Sequence, residues 1–156
     1  MKDVILSILE AGIAAKRSCV ESNVDNIIKA ADMLAVSLAA GGKVLIFGNG
    51  GSAADAQHLA AEFINRYQIE RPPLAAIALT TDTSVLTSIG NDYHFNDIFS
   101  KQITALGKKK DIAWGLSTSG NSPNVVRAVK TAQKMSIATI GMTGRGGELA
   151  ECADLV

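Results

Sequence analysis

Four short apolar runs, residues 43–47, 74–79, 111–116 and 137–142, recur along the chain, and helix-patterned stretches follow the first three. Runs of this length are strands. Being apolar on successive residues, they need cover on both faces. Strand, small-residue turn, helix and strand in that order form βαβ units, whose crossover helices supply the cover. Aromatic residues are only 4% of the sequence, so Ala, Val, Leu and Ile fill the layers, and a β-sandwich is disfavoured. The pattern predicts a single α/β domain over residues 1–156 with a parallel sheet.

Ahead of the first strand, Ile5, Ile8, Leu9, Gly12 and Ile13 recur at helical spacing. Ser22-x-x-Asp25 then matches a capping box opening a second helix through Ile27, Ala31, Leu34 and Leu38, with Gly41-Gly42 as its stop. Two N-terminal helices are expected. A further strand begins at residues 153–156, and a doubly wound domain would follow it with a closing helix, so the end of the chain reads as cut short.

Fifteen Lys and Arg balance fifteen Asp and Glu, for a formal net charge of +0. No bulk field is available to hold nucleic acid or an anionic membrane. Charged residues are 19% of the chain, below the roughly 25% of an ordinary domain, which points to surface buried against copies of the same chain. Cys19 and Cys152 have no metal-binding or CxxC spacing and read as structural thiols in a reducing compartment. With neither a membrane-length apolar run nor a signal peptide pattern, a cytoplasmic location is expected.

Gly48-Asn-Gly-Gly-Ser52 lies between a strand and a helix, where glycine lets the backbone approach a ligand and a helix N-terminus offers free N–H groups to an anion. It is neither a P-loop nor GxGxxG. Ser117-Thr-Ser-Gly-Asn-Ser-Pro123 repeats the arrangement with four hydroxyls and Pro123 at the first helical position. Hydroxyls and backbone N–H groups together enclose a phosphate monoester without Lys or Arg. Thr143-Gly-Arg-Gly-Gly147 is a third glycine-rich turn, left outside the site. Asp55, His58 and Glu62 share a face of the helix opened by Ser52. The last two have the spacing to chelate a divalent metal, and Glu62 alone can serve as a general base. His94 reads as a loop or helix-start residue. Asn91 and Asp92 offer donors and acceptors to a polyhydroxyl substrate.

These two turns, with Gln57-His-Leu-Ala-Ala-Glu62, Ala76-Ile-Ala-Leu-Thr-Thr-Asp82 and Gly90-Asn-Asp92, resemble in order those of the phosphoheptose isomerases of the sugar isomerase (SIS) domain superfamily. The resemblance implies a flavodoxin-like three-layer parallel sheet and a homotetramer with sites at subunit interfaces. It also implies conversion of D-sedoheptulose 7-phosphate to D-glycero-D-manno-heptose 7-phosphate through an enediol, for lipopolysaccharide or other surface glycans. By matching position, Asn49, Gly50, Gly51, Asn91 and Asp92 would contact substrate, with Ser52 as a neighbour. Ser117, Thr118, Ser119 and Ser122 would hold the phosphate, and Glu62 would be the base. His58 and Glu62 would be zinc ligands in those members that bind zinc. The family also uses a Gln and a His from a closing C-terminal helix, which residues 1–156 do not include. Two other readings share the fold: a non-catalytic relative that binds the replication initiator, and a phosphosugar-sensing module. The intact Glu62 and Gly-Asn-Gly-Gly-Ser stand against the first, and the absence of a helix-turn-helix pattern against the second.

Overall fold

The computed structural model describes all residues, Met1–Val156. In its first strand, β1 (Val44–Gly48), Val44 and Ile46 belong to one buried cluster and Leu45 and Phe47 to another. Side chains alternate along a strand, so helices cover both faces. The sheet is completed by β2 (Ala76–Ala78), β3 (Ile112–Ser117) and β4 (Ala138–Thr143). All pair in parallel, in the order β2-β1-β3-β4, which is the flavodoxin-like order. The strand expected at residues 153–156 is present as a single parallel bridge from Leu155 to Ile140.

The second cluster, with Phe47 and Phe99 rings 5.5 Å apart, packs under α4 (Ile98–Leu106), α5 (Pro123–Lys134) and α6 (Glu148–Cys152). Leu86 and Ile89 of α3 (Thr83–Asp92) close its edge. The cluster containing Val44 and Ile46 is covered by α2 (Gly51–Ile64) and by Ala30, Met33, Leu34 and Leu38 of α1 (Lys2–Ala39).

The two expected N-terminal helices are one continuous helix, α1. Neither Pro nor Gly interrupts residues 13–40, so nothing at Ser22 forces a break, and Asn23 Nδ2 donates to Cys19 O one turn back at 2.8 Å. At about 1.5 Å per residue the helix is roughly 57 Å long. Its residues 2–22 are exposed throughout, among them Val4, Ile5, Leu6, Ile8, Leu9 and Ile13. Cys19, read as a structural thiol, lies in this exposed half, whereas Cys152 is half-buried and desolvation pushes its thiol pKa up. His94 precedes the single 3-10 turn Phe95–Asp97, as a helix-start residue.

Below the sheet, Asp111 is 3% exposed and accepts from Lys43 N at 3.0 Å, Lys43 Nζ at 2.6 Å and Lys108 N at 2.8 Å. One carboxylate thus anchors the starts of β1 and β3. Asp111→Ala leaves the two amides and the ammonium without it, at an expected loss of about 3 kcal/mol in unfolding free energy by chemical denaturation. A loss under about 0.5 kcal/mol would show the anchor to be idle.

Candidate active site

β1 occupies the middle of the sheet, and its successors β2 and β3 lie on opposite sides of it. The chain therefore switches direction there and opens a crevice beyond the carboxyl ends of β1 and β3, where open α/β sheets bind ligands. Register sets Gly48 beside Leu116 and Ser117 beside Thr143. The turns after β1 and β3 stand next to each other as a result. A cavity of about 220 Å³ is lined by Ser52, Asp55, Leu116, Ser117, Thr118, Met142, Thr143 and Gly144.

No Lys or Arg lines this cavity. Anion affinity there has to come from hydroxyls and from the N-termini of α2 and α5, whose first N–H groups have no acceptor within their helices. Ser117 is buried and pairs hydroxyl to hydroxyl with Ser122 at 2.9 Å. Ser122, the N-cap of α5, makes no side-chain cap bond; Pro123 carries no N–H and Val125 N donates to Asn124 Oδ1, so the Asn124 N–H is the one left to a ligand in that first turn. Thr118 and Ser119 are exposed, and Ser119 Oγ accepts from Asn121 N at 3.2 Å. On the other side, Gly50 caps α2 at φ 54° and Gly51 and Ser52 form its first turn. Asn49 pairs with Asn124 through two amide hydrogen bonds, each 2.9 Å.

Further along α2, His58 Nε2 and Glu62 Oε1 are 3.1 Å apart, with side chains 75% and 33% exposed. The pair offers two metal ligands. No group of three His, Cys, Asp or Glu side chains forms in the chain, so these two alone fall short of the three protein ligands that catalytic zinc takes. Arg71 reaches back to the end of the helix and donates to Glu62 O at 2.7 Å and Phe63 O at 2.8 Å. It caps the last turn, the one that carries Glu62.

The site residues expected from the sequence divide into two groups. Ser52, Ser117 and Thr118 line the cavity, and Asn49, Gly50, Gly51, Ser119 and Ser122 belong to its two turns. Asn91 and Asp92 do not line it: they are exposed at the end of α3, with Asn91 Nδ2 donating to Asp92 Oδ1 at 2.8 Å. The turn at residues 143–147, left out on the sequence, belongs to the site. Thr143 and Gly144 line the cavity, and Gly144 N donates to Thr118 O at 3.1 Å. Asn124 and Arg71 were not singled out either. The signal for Asn124 was a polar residue at the second position of a helix, just before Val125 and Val126 on the buried side; for Arg71 there was none short of the fold.

Residues 9–144 match the model of the SIS domain. A phosphoheptose isomerase of Nitratidesulfovibrio vulgaris (strain Hildenborough) is 58% identical over 146 residues, 93% of this chain and 70% of that protein. The solved phosphoheptose isomerase of Neisseria gonorrhoeae superposes with a TM-score of 0.91 at 45% identity, covering 98% of this chain and 80% of that one. The structure of a phosphoheptose isomerase from Francisella tularensis gives 0.92 at 41% identity, covering 97% and 80%.

Gly50 and Gly120 both have positive φ but differ in surroundings. A Cβ on Gly50 meets nothing within 4 Å, whereas one on Gly120 falls 1.6 Å from Gly146 O. Gly50→Ala should cost about 1–3 kcal/mol of backbone strain. Gly120→Ala should cost visibly more in the same denaturation experiment, because it also drives the 117–122 and 143–147 turns apart. Equal costs would mean that the two turns are not braced against each other.

Proposed function

The chain belongs to the SIS domain family, among its phosphoheptose isomerases, and on that premise we propose how its residues carry out the reaction. It is an aldose–ketose isomerase that interconverts D-sedoheptulose 7-phosphate and D-glycero-D-manno-heptose 7-phosphate. The observation that carries the reading is that one helix, α2, has the anion turn at its start and Glu62 near its end. Glu62 lies ten residues beyond Ser52, about 15 Å along the axis, and helical side chains lean back toward the N-terminus. Six bonds of about 1.5 Å separate C2 of a heptose 7-phosphate from its phosphate ester oxygen, about 7.5 Å fully extended at tetrahedral angles. A sugar of this length, phosphate in the turns and chain laid along α2 past Asp55, brings C1 and C2 toward Glu62.

In this reading the hydroxyls of Ser117, Thr118, Ser119 and Ser122, with the N-terminus of α5, hold the phosphate, while Asn49, Gly50, Gly51 and Ser52 meet the sugar. The Glu62 carboxylate takes a proton from C1 of the ketose, and a C1–C2 double bond forms as the C2 carbonyl oxygen takes up negative charge and then a proton. Return of a proton to C2, with loss of the O1 proton, leaves the aldehyde at C1. His58, 3.1 Å from Glu62, steadies the carboxylate. Zinc would be held by His58 and Glu62, with at least one further donor from a neighbouring copy or from water, and would supply Lewis acidity toward the sugar oxygens. Asn91 and Asp92, away from their own chain's cavity, face the sugar of a neighbouring copy.

The homotetramer is supported by the apolar residues exposed along the first half of α1, which need cover. No helix is long and apolar enough to cross a membrane. We place the protein in the cytoplasm, with its product feeding heptose synthesis for lipopolysaccharide or other surface glycans.

Glu62→Gln keeps the shape but removes the proton acceptor, so turnover of sedoheptulose 7-phosphate should fall by at least about 10², with sugar phosphate binding and assembly retained. Activity within tenfold of wild type would remove Glu62 from the mechanism. Light scattering at micromolar concentration should give four chains per particle, and Ile5→Asp with Leu9→Asp should break the assembly down. A monomeric wild type would contradict the tetramer.

A further inference from the structure

Asn124 is 2% exposed at the second position of α5 and does not line the cavity. Its amide nevertheless makes three hydrogen bonds. Val125 N donates to Asn124 Oδ1 at 2.9 Å. In a side-chain amide only the oxygen accepts, so this contact decides which end of the Asn124 amide faces Val125 N. The facing amide then has no choice: Asn49 Nδ2 donates to Asn124 Oδ1 and Asn49 Oδ1 accepts from Asn124 Nδ2. What remains on Asn49 is one N–H and one carbonyl lone pair, a donor and an acceptor side by side, which is what a pair of sugar hydroxyls requires.

We propose that Asn124 is a positioning residue, a buried clamp that sets the polarity of the Asn49 amide and couples the sugar turn after β1 to the phosphate turn after β3. The inference rests on the reading of Asn49 as a substrate contact. The clamp joins a residue of one turn to the helix that the other turn opens, so displacement of the phosphate turn is passed to the sugar turn through two hydrogen bonds. Removing Asn124 frees Asn49 to rotate, and its donor and acceptor are no longer held in one place for the sugar.

The test uses the full-length protein with Asn124→Ala, Asn49→Ala and the double variant. It measures kcat and KM for sedoheptulose 7-phosphate and the exchange rate of the Asn49 side-chain amide by NMR, assigned from its loss in Asn49→Ala. Asn124→Ala should lower kcat/KM by about 10- to 100-fold, as loss of a supporting residue does, and should speed amide exchange at Asn49. In the Asn49→Ala background the same change should cost less than twofold. If Asn124→Ala unfolds, the isosteric Asn124→Asp, which keeps the acceptor for Val125 N but loses the donor to Asn49, is read in its place. An unchanged Asn49 amide, or an undiminished drop in the Asn49→Ala background, would overturn the clamp. A wild type inactive on sedoheptulose 7-phosphate would instead overturn the substrate reading, and the amide signal would still decide on Asn124.

Discussion

Five residues of β1 pair in parallel with five of β3, Val44 with Ile112 through Gly48 with Leu116, and the groups that line the cavity hang from the end of that ladder. Parallel strands run the same way, so their following turns emerge at one edge of the sheet. Because β1 is central, α2 and α5 leave from neighbouring strands and present their N-termini to a shared space. A one-residue slip would invert every buried side chain of β1 and β3, moving Val44 and Ile46 into the layer of Leu45 and Phe47. The packing on both faces thus fixes the register, and the register fixes the site.

On the proposed reading, that geometry lets a neutral chain hold a doubly charged ester. The cavity has no cationic side chain, and an isolated helix end supplies only about half an elementary charge. Two helix ends and a set of hydroxyls acting together replace the missing Lys or Arg. His58, one turn before Glu62, is the side chain paired with its carboxylate. Arg71 is spent on backbone carbonyls and stabilises the helix end rather than the reaction.

Much of this was legible in the sequence because it rests on local chemistry. Apolar runs ending in Gly48 and Ser117 marked strands within a residue or so of their observed ends, and Pro123 marked the start of α5. The failures occurred where local chemistry was overruled or silent. Ser22 and Asp25 have capping side chains, yet a helix needs a reason to stop, and none exists before Gly41. The 143–147 turn carries no hydroxyl cluster, and it joins the site only because β4 lies beside β3. Asn124 is polar in a buried position for the sake of Asn49, 75 residues earlier, a distance no pattern along the chain reports. Asn91 and Asp92 were read from their donor and acceptor groups and from the family resemblance, and within one chain the structure keeps them apart from the cavity.

The central claim is that the phosphate sits between two helix N-termini while the reacting carbons lie along α2 at Glu62. A crystal structure of the Glu62→Gln variant with sedoheptulose 7-phosphate tests it most directly. The phosphate oxygens should lie within hydrogen-bonding reach of Ser117, Thr118, Ser119 and Ser122, and C1 within about 3–3.5 Å of the substituted side chain. A phosphate seated on the 143–147 turn alone, or a C1 pointing away from α2, would contradict it.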